Sequence, residues 1–424
     1  MGRHILHIDM NCFYASVEMQ RHPEYRNVPL AVCGSQEDRH GIVLTANYLA
    51  KPRGVKVGQA IWQAKQVCPE LVTLPPDMSE YIRFSHMARE IYEDYTDQIE
   101  PFGLDENWLD VTGSVGCKGS PMAIAQEISE RIKFELGITA SIGVADNKVF
   151  AKLGSDMKKP DAVTVVSPAN YKETAWKLPV GDLLYVGRAT QQKLNRFGVM
   201  TIGDLARTPV GFLRTHFGKV GPMLSDFANG RDTSEVMLLS ETRRIKSVSN
   251  GITAPYDLTT DTDVYLTLTM LSESVAARLR AEGLYAKTVQ IAVRDAALHT
   301  VSHQCKLEKP SCLSMELARG AMGLFSAHYD WHAPVRSVTV GTQDLVESDS
   351  PVQLSLFSDE EKRERLERAE RAVDGIRGRF GYHAIGRAIF LKDDRIGRLN
   401  PREENTVHPV GYLHDKIGMA GTSE

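Results

Sequence analysis

The six cysteines, Cys12, Cys33, Cys68, Cys117, Cys305 and Cys312, include no CxxC pair. Their scatter argues against a zinc ribbon or a disulfide framework and suits a reducing compartment. No apolar run approaches the ~18 residues that a membrane span needs. The opening MGRHILHIDM carries charge but no sustained apolar stretch, unlike a signal peptide. A cytoplasmic protein without membrane attachment is therefore expected. Also missing is an excess of positive charge: Lys and Arg total 50 against 54 Asp and Glu, a net charge of -4. That argues against a grip on nucleic acid by bulk attraction, so any such contact must rest on local basic patches. No repeat period and no low-complexity block is found. What is present is globular: 424 residues, 42% hydrophobic and 25% charged. That is enough chain for two to four domains, each with a core.

Along the chain, His4–Asp9 reads as a short apolar strand ending on a carboxylate. Gly41–Ala50 reads as a strand running into a helix, which Pro52 limits because the residue before a proline is pushed out of the α region. Pro75-Pro76 marks a boundary. From Met78 the apolar residues Tyr81, Phe84, Ala88, Ile91 and Tyr95 recur at helical spacing. Ile99–Ser114 reads as a strand pair around Gly103, followed by a helix over 121–136 and a strand over 140–144. This order is a ferredoxin-like layer with an insertion after its first strand. Residues 168–232 read as helical. A linker follows, then strands alternating with helices from 243, then an acidic-basic helical run from Asp359 to Gly375 and an end expected to be disordered.

Asp9 ends a buried strand, and Asp105-Glu106 lie near the turn of another. Neighbouring strand residues face opposite ways, so both acids reach one site only at a turn or bulge, which Gly103 supplies. Converging carboxylates raise one another's pKa, and a hard divalent cation such as Mg²⁺ removes that cost. The blander reading is three solvated residues at strand ends.

Longer motifs bear on that choice. HIDMNCFYASVE (His7–Glu18), GLDENWLDVTGS (Gly103–Ser114) and ASIGVADNKVFAKLGSDMKKP (Ala140–Pro160) closely resemble, in order and separation, the three motifs of Y-family DNA polymerases. The likeness is strongest to the DNA polymerase IV branch and runs from residue 4 to about residue 390. It implies an α+β multidomain, right-hand polymerase with a ferredoxin-like palm, small fingers, a helical helix-hairpin-helix thumb and an α+β little-finger domain. The expected bounds are palm 1–10 and 78–166, fingers 11–77, thumb 168–232, linker 233–242, little finger 243–346 and tail 347–424. It implies template-directed, low-fidelity transfer of nucleotides from dNTPs to a primer 3′-OH on primer-template DNA, past damaged bases. Two Mg²⁺ ions would be held by Asp9, the carbonyl of Met10, Asp105 and Glu106, with Glu106 the residue most tied to catalysis.

The same resemblance makes Tyr14, after Phe13, the gate that excludes a 2′-hydroxyl; two aromatics after a strand are otherwise core filler. Thr45, Tyr48 and Lys159 match triphosphate contacts. Lys51 stands where the family has arginine, with Arg53 beyond Pro52; lysine cannot make arginine's bidentate fork. Lys152 fits either a site contact or a solvated face. Asn11 replaces the usual Asp, and Asp161-Ala162 the usual Asn-Gly. Pro179–Pro209 resembles a helix-hairpin-helix in which Tyr185 takes the place of the first hairpin glycine. Arg243, Arg244 and Lys246 are further candidates for DNA contact.

Gln353-Leu354-Ser355-Leu356-Phe357 follows a polar, proline-containing stretch and resembles the bacterial sliding-clamp peptide, with Gln353, Leu354, Leu356 and Phe357 as the contacts. The alternative packs those apolar side chains back on the little finger. A monomer is expected. Two rival functions remain: a catalytically weakened paralogue acting as a clamp-bound scaffold, and a ferredoxin-like nucleotidyl cyclase, which needs no hairpin thumb.

Overall fold

A computed structural model of the chain describes residues 2–35, 41–241, 244–348 and 360–401. The clamp-like peptide Gln353–Phe357 and the candidate contact Arg243 lie outside the described residues. Residues 2–34 and 42–241 form one compact unit, and residues 244–401 belong to the second.

The first unit opens with β1 (Ile5–Met10), buried along its whole length as its apolar run demands. Cys12, at φ 46°, turns the chain directly into α1 (Phe13–Arg21). A small layer follows: β2 (Leu30–Cys33), β3 (Val43–Ala46), α2 (Ile61–Val67) and β4 (Val72–Leu74), in sheet order β3-β2-β4. The expected helix after β3 does not form. Asn47 instead accepts from Leu49 N and Ala50 N and donates to Val28 O at 2.8 Å, closing a turn. Its side chain satisfies the backbone locally and competes with helix propagation.

α3 (Met78–Glu93) starts at an Asp77 cap and buries Tyr81, Phe84, Ala88 and Ile91, the face expected from their spacing. Then come β5 (Ile99–Pro101), β6 (Glu106–Asp110), α4 (Val115–Lys118), α5 (Pro121–Arg131), β7 (Ala140–Ala145), α6 (Lys148–Met157) and β8 (Val163–Val166). They complete a five-stranded sheet, order β5-β6-β1-β7-β8, with β1 antiparallel to β6 and to β7. The helix α6 lies close on β7 because Gly143 has no side chain. A Cβ there would meet Ala151 O at 1.8 Å, an impossible approach. Four short helices end the unit: α7 (Arg188–Arg196), α8 (Ile202–Arg207), α9 (Val210–Phe217) and α10 (Val220–Ala228).

In the second unit, β9 (Ser247–Leu258), β10 (Leu284–Asp295), β11 (Thr300–Ser311) and β12 (Val335–Glu347) form one antiparallel sheet, order β11-β10-β12-β9. The helices α11 (Asp261–Ala281) and α12 (Ser314–His328) pack on the sheet's apolar residues Val289, Ile291, Val338 and Val340. Part of the stretch expected as tail is built into this unit. α13 (Glu360–Phe380) is fastened to α11 by Arg280 on Asp374 at 2.7 Å and Arg377 on Glu273 at 3.0 Å. Arg387 adds a second bond to Glu273, and α14 (Asp394–Gly397) buries Ile396. Burying these guanidinium groups is tolerable only because each meets carboxylate oxygens.

Candidate active site

The β1–β6 register sets Asp9 directly opposite Glu106, and Asp105 precedes the first residue of β6. Gly103, at φ 131°, reverses the chain between β5 and β6. Met10 N donates to Asp105 O at 3.0 Å, pinning that turn to the end of β1. The three carboxylates thus gather where the interior strands β1 and β6 meet, at the end of β1 and the start of β6. Asp9 is nearly enclosed, whereas Asp105 and Glu106 keep an opening to solvent.

Their titration reports the crowding. Burial, and then the charges of Asp9 and Glu106, push Asp105 up to about 7. Burial also outweighs an adjacent lysine at Asp9, raising it to about 6. Glu106 goes the other way, to about 2: burial opposes the shift, but the His7 hydrogen bond and the Lys152 charge prevail. Lys159 Nζ lies 2.6 Å from Asp9 Oδ2 and 2.9 Å from Asp156 Oδ1. Lys152 Nζ lies 2.7 Å from Glu106 Oε2, so Lys152 belongs to the site and is not merely a solvated face. Among the described residues no group of three or more His, Cys, Asp or Glu side chains forms a ready-made metal cage. The donor set nevertheless suits a hard cation: carboxylate oxygens, two of them on acids that burial raises, and two ammonium groups already drawn in to balance the charge.

The structure also brings in His7 and Ser155, which the sequence did not single out, and gives Asn11 a definite place. His7 is fully buried, its Nδ1 2.8 Å from Ser155 Oγ and its Nε2 3.5 Å from Glu106 Oε2. Asn11 is a cross-link: it donates to Ser141 Oγ at 3.0 Å and accepts from Thr139 Oγ1 and from Asp161 N. An aspartate could not make the first of these donations. The last one holds Asp161 at φ 54°, where the family's motif has Asn-Gly.

Tyr14 stacks flat on Tyr81, centroids 4.2 Å apart and planes 9° from parallel, and the Tyr81 hydroxyl donates to buried Glu18 at 2.6 Å. Burial and the nearby Asp105 charge push the Tyr14 hydroxyl up to about 12. The ring is therefore rigidly backed and close to the carboxylates. Phe13, by contrast, lies in the core at 2% exposure. The Tyr48 hydroxyl is raised by burial, by Cys12 and by the charge of Asp9, with Lys159 acting against them, so it borders the same site. Lys51 Nζ sits 4.7 Å from the Tyr48 ring centre. Arg53 is paired instead with Glu70 at 3.0 Å, and Thr45 faces Val32 across β2–β3.

Away from this site, the turn into α7 runs through Tyr185, at φ 67° with its side chain exposed, and Gly187, which caps α7 without a side-chain acceptor. The left-handed backbone at Tyr185 is what a glycine would adopt freely.

Residues 8–156 match the impB/mucB/samB family, and residues 245–356 match the impB/mucB/samB family C-terminal domain. The chain is 51% identical over 399 residues to the DNA polymerase IV of Acetivibrio thermocellus, covering 94% of this chain and 100% of that one. It is 38% identical to DNA polymerase IV 2 of Bacillus subtilis, covering 91% and 93%. A solved Y-family DNA polymerase chimera superimposes with a TM-score of 0.71 at 24% identity, over 81% of this chain and 99% of that one. At that identity the structural likeness speaks for the fold.

Proposed function

The chain belongs to the impB/mucB/samB family, the Y-family DNA polymerases, and from that premise we propose how this DNA-directed DNA polymerase works. The reaction is transfer of a nucleotide from a dNTP to a primer 3′-OH opposite a template base, including a damaged one. The observation that carries the reading is the meeting of Asp9, Asp105 and Glu106 at the adjoining ends of β1 and β6, with Lys159 and Lys152 supplying counter-charge.

On this proposal Asp9, the Met10 carbonyl, Asp105 and Glu106 would hold two Mg²⁺ ions. Bound there, the ions would activate the primer 3′-oxygen and neutralise the departing pyrophosphate. Lys159 and Tyr48 take the triphosphate, with Lys51 and Thr45 alongside; Arg53 can join only by leaving Glu70. Tyr14, stiffened by Tyr81, stands under the sugar and leaves no space for a 2′-hydroxyl. His7, locked by Ser155, and Lys152 fix the rotamer of Glu106, so the carboxylate is oriented before substrate arrives.

The domain bounds given above are proposed with the same scheme: palm around the carboxylates, fingers over 11–77, thumb over 168–232 and little finger from 243. The turn at Tyr185–Gly187 offers backbone N–H groups to a DNA phosphate, a contact without base preference. The peptide Gln353–Phe357 is proposed, from its sequence, as the contact with a sliding clamp. Primer extension with dNTPs and Mg²⁺ on undamaged and damaged templates tests the proposal; a protein that binds the duplex but never extends it would be the scaffold instead.

A further inference from the structure

The stretch from Lys51 to Val67 carries four cations, Lys51, Arg53, Lys56 and Lys65, and no Asp or Glu, in a chain whose net charge is -4. Its helix α2 lays Ile61 and Ala64 into the small layer's core. Trp62 therefore points away from that core and is 58% exposed. Lys65 and Gln66 follow it by three and four residues, on the same face of the helix. Val57, 65% exposed, stands in the loop that leads in.

The other three tryptophans have partners. Trp108, Trp176 and Trp331 donate their indole N–H to Lys148 O, Ala228 O and Asp261 Oδ1, at 2.9, 2.9 and 2.8 Å. Among the described residues Trp62 has neither a hydrogen-bond acceptor nor a ring against it. A single exposed apolar side chain would need no explanation. An unpartnered indole among cations that face almost no acid is another matter: stacking surface plus phosphate attraction is the chemistry that holds single-stranded nucleic acid.

We infer that Trp62 is a stacking platform for an unpaired template base, with Lys65 and Lys56 on the flanking phosphates. The inference rests on the polymerase reading. Bases inside a duplex have both faces covered by their neighbours, so a platform on the strand's path takes an unpaired base. The layer that carries α2 also carries Tyr48, which packs against the core cluster of Ile8, Met10 and Cys12, the residues that flank Asp9 and Asn11, and the unpaired strand next to a primer end is the template still to be copied.

The test compares two primer-templates that differ only in the 5′ template overhang, one base against about eight. Wild type should bind the longer overhang roughly tenfold more tightly, the worth of one stacked base. Trp62→Ala should lose that ratio and Trp62→Phe should keep most of it. Adding the long-overhang substrate should quench indole emission in wild type by more than in Trp62→Ala. An equal ratio in Trp62→Ala and wild type, no overhang preference in wild type, or equal quenching in the two proteins would overturn the inference. Failure of the underlying reading is distinct: wild type would then insert no nucleotide on either substrate.

Discussion

Lys159 Nζ lies 2.6 Å from Asp9 Oδ2. The lysine proposed for the triphosphate thus rests on a carboxylate proposed for metal, and both must change partners when substrate arrives. Ion pairs to Lys159 and Lys152 offset the charge of Asp9 and Glu106, and burial raises the pKa of Asp9 and Asp105.

Those raised values give a prediction with a definite sign. Asp105 and Asp9 titrate near 7 and 6 in the folded protein, above their ordinary 3.8. The folded state then binds more protons than the unfolded one between those limits. Their contribution to stability is present below pH ~4 and is lost as pH rises through 6 and 7. Glu106, held near 2, runs the other way and loses its contribution only as pH falls toward that value. Asp9 and Asp105 should therefore draw the stability of metal-free protein down from pH 5 to pH 8, opposed by His7, whose burial holds its imidazole below the ordinary value and favours the folded state as pH rises. Asp105→Asn should flatten that slope and gain on the order of 1–3 kcal/mol at pH 8. Urea unfolding across this range is the check.

Tyr14→Ala should admit ribonucleotides, because removing the ring opens the space for a 2′-hydroxyl. The ratio of dNTP to rNTP insertion efficiency measures it. A change within about twofold, only ~0.4 kcal/mol, would make Tyr14 core filler.

Much of this site was legible in the sequence, and for identifiable reasons. An apolar run ending in Asp9, and a glycine before two adjacent acids, are local patterns that the backbone enforces. The rest depends on contacts between distant segments. Lys152 reaches Glu106, and Ser155 reaches His7, because Gly143 lets α6 settle on β7, which no spacing rule reveals. β11 gives little strand signal, because Thr300–Ser311 is largely polar and keeps much of its surface in solvent. α13 reads as a charged surface helix until Glu273 and Arg280, some 90 to 104 residues earlier, supply its partners.

Tyr185 offers a test of backbone strain. In the left-handed region a side chain costs ~1–2 kcal/mol, of which glycine's greater unfolded freedom returns part. Tyr185→Gly should be more stable than Tyr185→Ala by about 0.5–1 kcal/mol, the reverse of their order at an ordinary position. Thermal unfolding of the two variants decides it.

The clamp contact is tested by Leu356→Ala combined with Phe357→Ala. A tether to a ring on DNA raises the polymerase concentration at the primer end to roughly millimolar, and the double variant should lose that advantage. The readout is the ratio of long extension with and without a loaded clamp on circular template, at moderate salt. Equal ratios for variant and wild type would remove the peptide from the account.

The central claim is that the carboxylates facing each other across β1 and β6 perform nucleotide transfer. Single-nucleotide insertion with dNTPs and Mg²⁺, opposite an undamaged and a damaged template base, tests it most directly when wild type is set beside Glu106→Ala. Wild type should insert at both. The variant should fall below a few per cent of wild type at both, while binding the same primer-template within about twofold. Insertion by Glu106→Ala at more than a few per cent of the wild-type rate would contradict it.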